Sequence, residues 1–175
     1  MRVAFLSLAV VCAVLTASPA VGQERRPRDA DLTQAAQDLA GRHPGLVVRD
    51  DADHIRIVIS GEALFQADGQ TIRREADPLL RDVSRVLLGV RQGPIVIEGH
   101  ADSAGSDADV YETSLRRAEA ILGWLGAKTA LNTARLQVVG RADDAPLAQE
   151  VTPDGQDDPA GRQRNRRVEI VLAKR

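Results

Sequence analysis

The sequence predicts a single α+β domain, a two-layer sandwich in which helices pack on one face of a mixed β-sheet. Short apolar strands alternate with amphipathic helices along most of the chain, which is the pattern of such layered folds. About 150 residues follow an apolar N-terminal segment, and a chain of that length can bury a substantial core. Arg56, Gln137 and Glu169 stand at alternating positions of predicted strands, so we expect the sheet face without helices to be polar.

The N-terminal segment has the layout of a secretory signal peptide. Arg2 gives a positive start, residues 3–17 are apolar, and the small residues that follow suit cleavage after Ala20 or Gly22. The apolar run is shorter than the roughly 20 residues of a membrane-spanning helix, and an uncleaved anchor is the alternative. The single cysteine, Cys12, lies inside this run without a small residue before it, which argues against lipid attachment. We therefore expect an exported mature chain with no membrane span and no disulfide.

The chain divides into a signal, a linker and one domain. We assign residues 1–22 to the signal peptide, residues 23–45 to a linker that can hold a short helix, and residues 46–175 to the folded domain. Strands are predicted where apolar residues run together or alternate, at residues 46–48, 55–59, 95–97, 135–139 and 167–172. The first two strands, separated by an acidic turn, predict a hairpin.

Helices are predicted where apolar residues recur at three- and four-residue steps, at residues 31–40, 71–88 and 107–125. Proline is tolerated in the first turn of a helix, so Pro78 makes Asp77 the candidate N-cap of the second helix. Gly126 is the expected stop of the third helix. Residues 143–160 contain three prolines and predict a loop with room for a short helix.

The composition argues against nucleic acid as a partner. The chain has 23 basic and 25 acidic residues and a net charge of -2, so it offers no excess of basic residues to phosphates. Aromatic residues make up 2% of the chain, which leaves few rings for stacking on bases or sugars. We therefore expect a ligand that is held by charge and hydrogen bonds.

Two charged residues form the candidate binding site. Asp102 follows the 95–97 strand, and Arg117 lies on the helix after it. At about 100° per residue, Arg117 lies on the flank of an apolar stripe of this helix, whereas Arg116 faces water. The stripe consists of Tyr111, Leu115, Ala118, Ile121, Leu122 and Leu125. A carboxylate and a guanidinium at one sheet edge can grip a zwitterion, and the alternative is a structural ion pair between the two.

A second basic group, Arg166 and Arg167 after Asn165, begins the last predicted strand. It is either a solvated basic surface or an anion site. Neighbouring strand residues point to opposite faces, so only one of the two arginines can reach a given ligand.

Catalytic and metal sites are not predicted. His100 is a lone histidine at a strand end, and no serine has the surroundings of a nucleophile elbow. His43 and His54 are distant in sequence and form no metal-binding spacing with it. We expect His100 to be structural, and we expect no catalytic residue, no metal and no cofactor.

Three motifs in order resemble the OmpA-like C-terminal domain, the peptidoglycan-binding module of OmpA, MotB and Pal proteins. The first is Leu64-Phe65, which resembles the family's early LF element. The second runs from Gly99-His100-Ala101-Asp102 to Ser114-Leu115-Arg116-Arg117-Ala118, and the third is Gly161-Arg162 followed by Asn165-Arg166-Arg167-Val168-Glu169-Ile170. The resemblance covers residues 55–172, and three motifs in the right order are far more specific than any one of them.

The resemblance implies an OmpA-like β/α sandwich that binds peptidoglycan non-covalently through the meso-diaminopimelate of its stem peptide. By the family's motif, Asp102 matches the aspartate that contacts the ligand's ammonium, and Arg117 matches the arginine that takes its carboxylate. Arg166 matches an arginine beside the same site, and Asn165 and Phe65 match positions that shape the pocket. The implied place is the periplasm of a Gram-negative envelope, at the cell wall, with the outer membrane and other envelope proteins as further candidates for association.

Some positions depart from the family's pattern. Asp109 and Val110 stand where the family usually has a Tyr-Asn pair, and Thr113 stands where it usually has leucine. The segment 152–160 is longer and more acidic than usual. The alternative function is therefore an envelope protein–protein interaction module of the same fold that has lost wall binding. A hydrolase that uses His100 is a third hypothesis.

Overall fold

The computed structural model describes residues 29–174. The predicted signal peptide, its cleavage sites and Cys12 lie outside the described residues. The strands are β1 (Leu46–Asp50), β2 (His54–Ser60), β3 (Ile95–His100), β4 (Leu136–Gly140) and β5 (Arg167–Ala173). The helices are α1 (Asp29–Arg42), α2 (Gly61–Leu64), α3 (Asp77–Gly89), α4 (Asp107–Lys128) and α5 (Pro159–Asn165), and short 3-10 turns cover Arg74–Ala76 and Thr133–Arg135. Every predicted strand and helix is present, although the ends differ.

The strands form one mixed sheet in the order β1-β2-β5-β3-β4. Neighbouring strands are antiparallel except for β3 and β4, which are parallel and are joined through α4. Such a crossover is required because parallel strands run in the same direction, so the chain must return from the end of β3 to the start of β4. An apolar row crosses the sheet in register, formed by Val48, Ile57, Ile170, Ile97 and Val138. These features confirm the predicted α+β fold with a mixed sheet.

The helices α1, α3 and α4 share one core with the sheet, on the face that this apolar row occupies. The sequence assigns α1 to a linker before the domain. In the structure, Ala36 and Leu39 of α1 are fully buried in the common core and α1 contacts both β1 and α3. The packed part of the described chain therefore includes Asp29–Arg42.

The helix α3 begins at Asp77, with Ala76 as its N-cap and Pro78 in its first turn. The proline therefore lies where a helix tolerates it, but Asp77 is not the N-cap. Its carboxylate has another partner, because Trp124 Nε1 donates to Asp77 Oδ1 at 2.9 Å. This hydrogen bond ties the start of α3 to α4.

The helix α4 continues past Gly126, so the predicted stop at that glycine is wrong. Thr129 is the C-cap, and both its backbone N–H and its hydroxyl donate to the Leu125 carbonyl, at 3.1 and 2.7 Å. Gly126 serves close packing instead, because a Cβ there would lie 3.0 Å from Thr133 Cγ2.

The buried face of α4 is rotated relative to the predicted stripe. Tyr111 is 51% exposed, and the buried residues of α4 are Val110, Ser114, Arg117, Ala118, Ile121, Trp124 and Leu125. Two glycines explain the rotation. A Cβ on Gly99 would lie 1.8 Å from the Ser114 carbonyl oxygen, and a Cβ on Gly140 would lie 2.9 Å from Ser114 Oγ. The backbone of α4 therefore rests directly on β3 and β4 at Ser114, which turns Arg117 inward rather than to the rim.

The acidic segment before β5 closes a turn and starts a helix. Asp157 Oδ1 accepts a hydrogen bond from Arg162 Nε at 2.6 Å, and Asp158 caps α5 by accepting from the Ala160 N–H at 3.0 Å. The short helix of this region is α5, which begins at Pro159, within the last two residues of the predicted loop, and continues to Asn165.

Replacing Gly99 with alanine is expected to destabilise the protein by at least about 2 kcal/mol, because the methyl group meets the Ser114 carbonyl unless α4 moves. Gly123 is the matched control. It is exposed on α4 and a Cβ there meets nothing within 4 Å, so Gly123→Ala should stabilise by about 0.5–1 kcal/mol. Equilibrium unfolding in urea measures both changes, and a Gly99→Ala protein as stable as the parent would contradict the close packing of α4.

Candidate functional site

A polar groove with a volume of about 430 Å³ opens beside α2 and the turn that follows it. Arg73, Arg117 and Arg166 bring three guanidinium groups to this groove. Glu62 and Asp68 bring carboxylates to the same surface. The groove therefore presents both signs of charge, which suits a zwitterionic ligand.

Arg117 reaches the groove from the buried face of α4. The residue is 5% exposed, its Nε donates to the Gly69 carbonyl at 2.9 Å, and its Nη1 donates to the His100 carbonyl at 2.7 Å. Within residues 29–174 the guanidinium makes no ion pair. Burial lowers the pKa of Arg117, attraction to Asp102 opposes this shift, and repulsion from Arg166 adds to it. A buried cation whose hydrogen-bond partners are neutral carbonyls favours an incoming anion.

Asp102 and Arg166 form an ion pair beside Arg117. Nη1 of Arg166 donates to Oδ2 of Asp102 at 2.7 Å, and the Arg166 and Asp102 side chains are 34% and 15% exposed. Arg166 directly follows α5, and its carbonyl accepts a hydrogen bond from the Gly61 N–H at 2.8 Å. The end of α5 is thereby joined to the groove wall. Three of the predicted residues thus come together, as one carboxylate and two guanidinium groups.

Phe65 lines the groove while also belonging to the hydrophobic core. It is 4% exposed. Its position follows from α2, because Phe65 is the C-cap and its N–H donates to the Gly61 carbonyl at 2.8 Å, while a β-bridge pairs it with Ile72. Phe65 therefore lies beneath the groove as part of the core, and Ala67 is the exposed apolar side chain of the lining.

Asn165 bonds to the segment before α5 with every polar atom of its side chain. Its Oδ1 accepts from the N–H groups of Leu147 and Ala148 at 2.8 and 3.0 Å. Its Nδ2 donates to the Ala148 carbonyl at 3.0 Å and to Glu150 Oε1 at 2.7 Å. The residue is 1% exposed, so its influence on the groove passes through this segment.

Glu150 supports the site but gives no signal in the sequence. Its carboxylate accepts hydrogen bonds from the Ser103 N–H at 3.1 Å and the Ser103 hydroxyl at 2.6 Å, and from Arg162 Nη1 at 2.8 Å. Burial would raise the pKa of Glu150, but the hydrogen bonds from Ser103 and Asn165 hold it below its usual value. Ser103 directly follows Asp102, so Glu150 fixes the turn that presents Asp102. Motif spacing cannot reveal a contact between positions 47 residues apart.

The departures at Asp109 and Val110 leave the start of α4 well capped. Ser106 is the N-cap, and its Oγ accepts from the Asp109 N–H at 3.3 Å while donating to Asp109 Oδ2 at 2.6 Å. The Asp109 carboxylate thus bonds to the Ser106 hydroxyl, whereas in a capping box it would accept from the Ser106 backbone N–H. Val110 is buried. The turn therefore keeps satisfied hydrogen bonds without the family's usual asparagine.

A second charged cluster lies on the sheet face opposite to α4. Glu98 and His100 of β3 stand in register with Glu169 and Arg167 of β5. Nη1 of Arg56, from β2, donates to Glu98 Oε2 at 3.1 Å and to Glu169 Oε2 at 3.2 Å, and Arg167 Nε donates to Glu169 Oε1 at 2.6 Å. Burial would raise the pKa of Glu169, but the Arg167 guanidinium holds it below its usual value.

This cluster confirms that the sheet face without helices is polar, although much of it is not open to solvent. Glu169 is 3% exposed, although Gln137 at the sheet edge does face solvent. The segment after β4 covers the cluster, and the Ala145 carbonyl accepts a hydrogen bond from Arg167 Nη2 at 2.9 Å. The face is polar as predicted, but its charges are paired and largely withdrawn from water.

Glu98, His100 and Glu169 place donor atoms within 4.8 Å of one another, which is a spacing that metal sites use. The two carboxylates already accept hydrogen bonds from three guanidinium groups, those of Arg56, Arg141 and Arg167. The carboxylate oxygens are therefore taken up by guanidinium groups, which a divalent cation would have to displace.

The structure therefore defines a small α+β domain whose groove is lined by the buried Arg117 guanidinium and by Arg166, while Asp102 is not among the lining residues and adjoins the groove through its ion pair with Arg166. The family model described as the OmpA family matches residues 64–159, and the chain belongs to this family.

Several relatives are cell-wall or outer-membrane proteins by name. The solved structure of the cell wall anchor of the T6SS from Pseudomonas aeruginosa has a TM-score of 0.67 and 29% identity, covering 86% of this chain and 99% of that one. Outer-membrane lipoprotein YfiB of P. aeruginosa is 27% identical over 86% of this chain and 84% of its own length. Outer membrane protein A of Bordetella avium is 30% identical over 67% of this chain.

The chain spans 57% of the length of the Bordetella protein and 13% of the length of another curated relative. The similarity to these two relatives therefore concerns only part of their chains. In the part of this chain that the structure describes, no helix has the length and apolarity needed to cross a membrane.

The buried imidazole of His100 predicts a pH dependence of stability. It is 2% exposed, neither ring nitrogen has a hydrogen-bond partner among residues 29–174, and burial together with the Arg167 charge lowers its pKa to about 4. The unfolded chain, with a pKa of about 6.5, takes up a proton that the folded chain does not. The free energy of unfolding should therefore fall as the pH drops from about 6.5 to 4, by up to about 3 kcal/mol.

An NMR titration of the His100 ring measures this pKa directly, and urea unfolding across the same pH range measures its effect on stability. The His100→Asn protein should lose the pH dependence between about pH 6.5 and 5, because below about pH 5 carboxylates with a lowered pKa, such as those of Glu150 and Glu169, contribute as well. A His100 pKa near its ordinary value would contradict the inferred burial of a neutral ring.

Proposed function

We propose that this domain binds peptidoglycan non-covalently through the meso-diaminopimelate of the stem peptide. Binding anchors or localises the protein at the cell wall of a Gram-negative envelope, with the exported chain in the periplasm. The observation that carries the proposal is the buried Arg117 guanidinium, which borders an open groove and has neutral carbonyl partners. Membership of the family, and the wall-anchor role named for one relative, support it.

Diaminopimelate in the wall presents an ammonium and a carboxylate on one carbon atom. In the proposed complex, Arg117 binds the carboxylate and Asp102 binds the ammonium. Arg166, which bonds to Asp102 at 2.7 Å, supplies a second cation beside the carboxylate. The two carbonyls already hold Arg117 in place, so ligand binding costs little side-chain entropy at this residue. Phe65 packs beneath the groove and shapes its floor, and Asn165 supports the neighbouring segment.

The proposed affinity is modest for each site. A charge-assisted hydrogen bond contributes about 1.5–3 kcal/mol, and part of that gain offsets the loss of rotational and translational freedom. The wall repeats the same ligand many times. Retention at the wall therefore comes from a high effective concentration of ligand rather than from tight binding at one site.

The proposed role is binding without catalysis. A general base must reach a substrate proton, and His100 is 2% exposed on the sheet face away from the groove. A neutral imidazole can act as a base only on a group that it contacts. No serine or other nucleophile among the described residues hydrogen-bonds to the His100 ring.

An envelope protein–protein interaction module is the second candidate. Asp109, which stands where the family usually has tyrosine, lines a small pocket together with Gln70, the residue after Gly69. The carboxylate of Asp109 adds negative charge next to the groove. This favours a protein partner over peptidoglycan, the ligand that the family resemblance implies. Outer-membrane and other envelope proteins are the partners considered for this alternative.

Two assays test wall binding, sedimentation with insoluble sacculi and calorimetric titration with the tripeptide L-Ala-γ-D-Glu-meso-diaminopimelate. Arg117→Lys, which keeps the charge but loses the two-point geometry, should weaken binding by about tenfold to a hundredfold. Asp102→Asn should weaken it by about the same factor. Thermal unfolding of each variant verifies that the fold is retained.

Arg116→Ala is the matched control, because Arg116 is the adjacent arginine on α4, faces solvent and pairs with Glu112. This variant should bind like the parent. If Arg117→Lys and Asp102→Asn sediment with sacculi as well as the parent does, the proposed site is wrong. Two results together would favour the second candidate. The parent protein would show no affinity for the tripeptide, and crosslinking would recover an envelope protein bound to it.

A further inference from the structure

Arg117 owes its orientation to two segments that are distant in sequence. Its Nε donates to the carbonyl of Gly69, 48 positions away, at 2.9 Å. Its Nη1 donates to the carbonyl of His100, at the end of β3, at 2.7 Å. The guanidinium is thereby held between a turn and a strand end, and the direction of its remaining N–H groups depends on both.

The turn at Gly69 is organised by the carboxylate of Asp68. Oδ1 of Asp68 accepts hydrogen bonds from the backbone N–H groups of Gln70 and Thr71, at 3.0 and 2.9 Å. The Gly69 N–H donates to the Gln66 carbonyl at 2.9 Å. Gly69 itself has a φ of 71°, in the left-handed region that favours glycine. This local network directs the Gly69 carbonyl toward Arg117.

Gly69 also leaves room for the guanidinium. A Cβ at this position would lie 3.0 Å from Nη2 of Arg117, closer than side chains normally approach. A side chain at position 69 would therefore strain the backbone and also displace the guanidinium. The displacement of the guanidinium affects ligand binding by Arg117 rather than the stability of the fold.

We propose that the turn formed by Asp68 and Gly69 positions Arg117 for a carboxylate and thereby sets the preference for a ligand carboxylate over the corresponding amide. The inference rests on the proposed function, which supplies diaminopimelate as the ligand. Gly69 is a positioning residue that acts through Arg117. Asp68 is exposed and Gly69 has no side chain, so neither adds much to the core, and a control at Gly155 separates the backbone strain of Gly69→Ala from its effect on binding.

Gly69→Ala should weaken binding of the diaminopimelate tripeptide by about tenfold to a hundredfold, the loss expected for one charge-assisted hydrogen bond. The comparison ligand is the same tripeptide with the free diaminopimelate carboxylate amidated. Gly69→Ala and the parent should bind this amide equally, because the displaced guanidinium acts on the carboxylate. Asp68→Ala should show a smaller loss with the same dependence on the carboxylate. Isothermal titration calorimetry measures all these affinities.

Gly155→Ala is the matched control for backbone strain. Gly155 has a φ of 82°, and a Cβ there meets nothing within 4 Å. Its replacement should lower the unfolding temperature about as much as Gly69→Ala does, while leaving tripeptide binding unchanged. The positioning role is overturned if Gly69→Ala binds the tripeptide like the parent, if Gly155→Ala loses as much affinity, or if Gly69→Ala loses equal affinity for tripeptide and amide.

A second readout needs no ligand. In ¹⁵N-labelled protein, the Nε–H of Arg117 should exchange slowly with solvent in the parent and faster in Gly69→Ala and Asp68→Ala. A parent that does not bind the tripeptide defeats the proposed function, yet this resonance still tests the positioning role. Unchanged exchange in Gly69→Ala would overturn it.

Discussion

The burial of the Arg117 guanidinium is the constraint on which the groove depends. A charged group that leaves water loses its hydration, and here the carbonyls of Gly69 and His100 replace part of it. These carbonyls belong to a turn and a strand end, so α4, β3 and the segment after α2 must all be in place around the charge. The low dielectric that makes this burial costly also strengthens the attraction of the guanidinium for an anion in the groove.

Close packing at two glycines decides that this arginine is buried. Gly99 and Gly140 let the backbone of α4 rest on β3 and β4 at Ser114, and this contact turns Arg117 inward and leaves Arg116 in solvent. The residue after Gly99 is His100, whose carbonyl accepts the hydrogen bond from Arg117. The end of β3 therefore serves helix packing and the binding site at once. The His100 imidazole lies on the other face of the sheet, in a cluster of paired charges that the segment after β4 covers.

The sequence predicted the fold because the signals for it are local and periodic. Strand runs, helical spacing and three ordered motifs each constrain a short segment, and the mixed sheet follows from their order. The orientation of α4 was missed because it depends on the contact between Gly99 and Ser114, which a helical wheel does not contain. The contact of Ser103 with Glu150 and the hydrogen bond of Arg117 to Gly69 were missed because they join positions 47 and 48 residues apart. The motifs could name the charged residues of the site, but they could not supply the carbonyls that orient Arg117.

The central claim is that Arg117 takes the ligand's carboxylate from its buried position. A crystal structure of the domain with the diaminopimelate tripeptide bound tests this claim most directly. We predict the free carboxylate of diaminopimelate within hydrogen-bond distance of Arg117, the ammonium at Asp102, and the carbonyls of Gly69 and His100 still bonded to the guanidinium. A ligand that lies in the groove without contacting Arg117, or that binds instead at the cluster around Glu98, would contradict it.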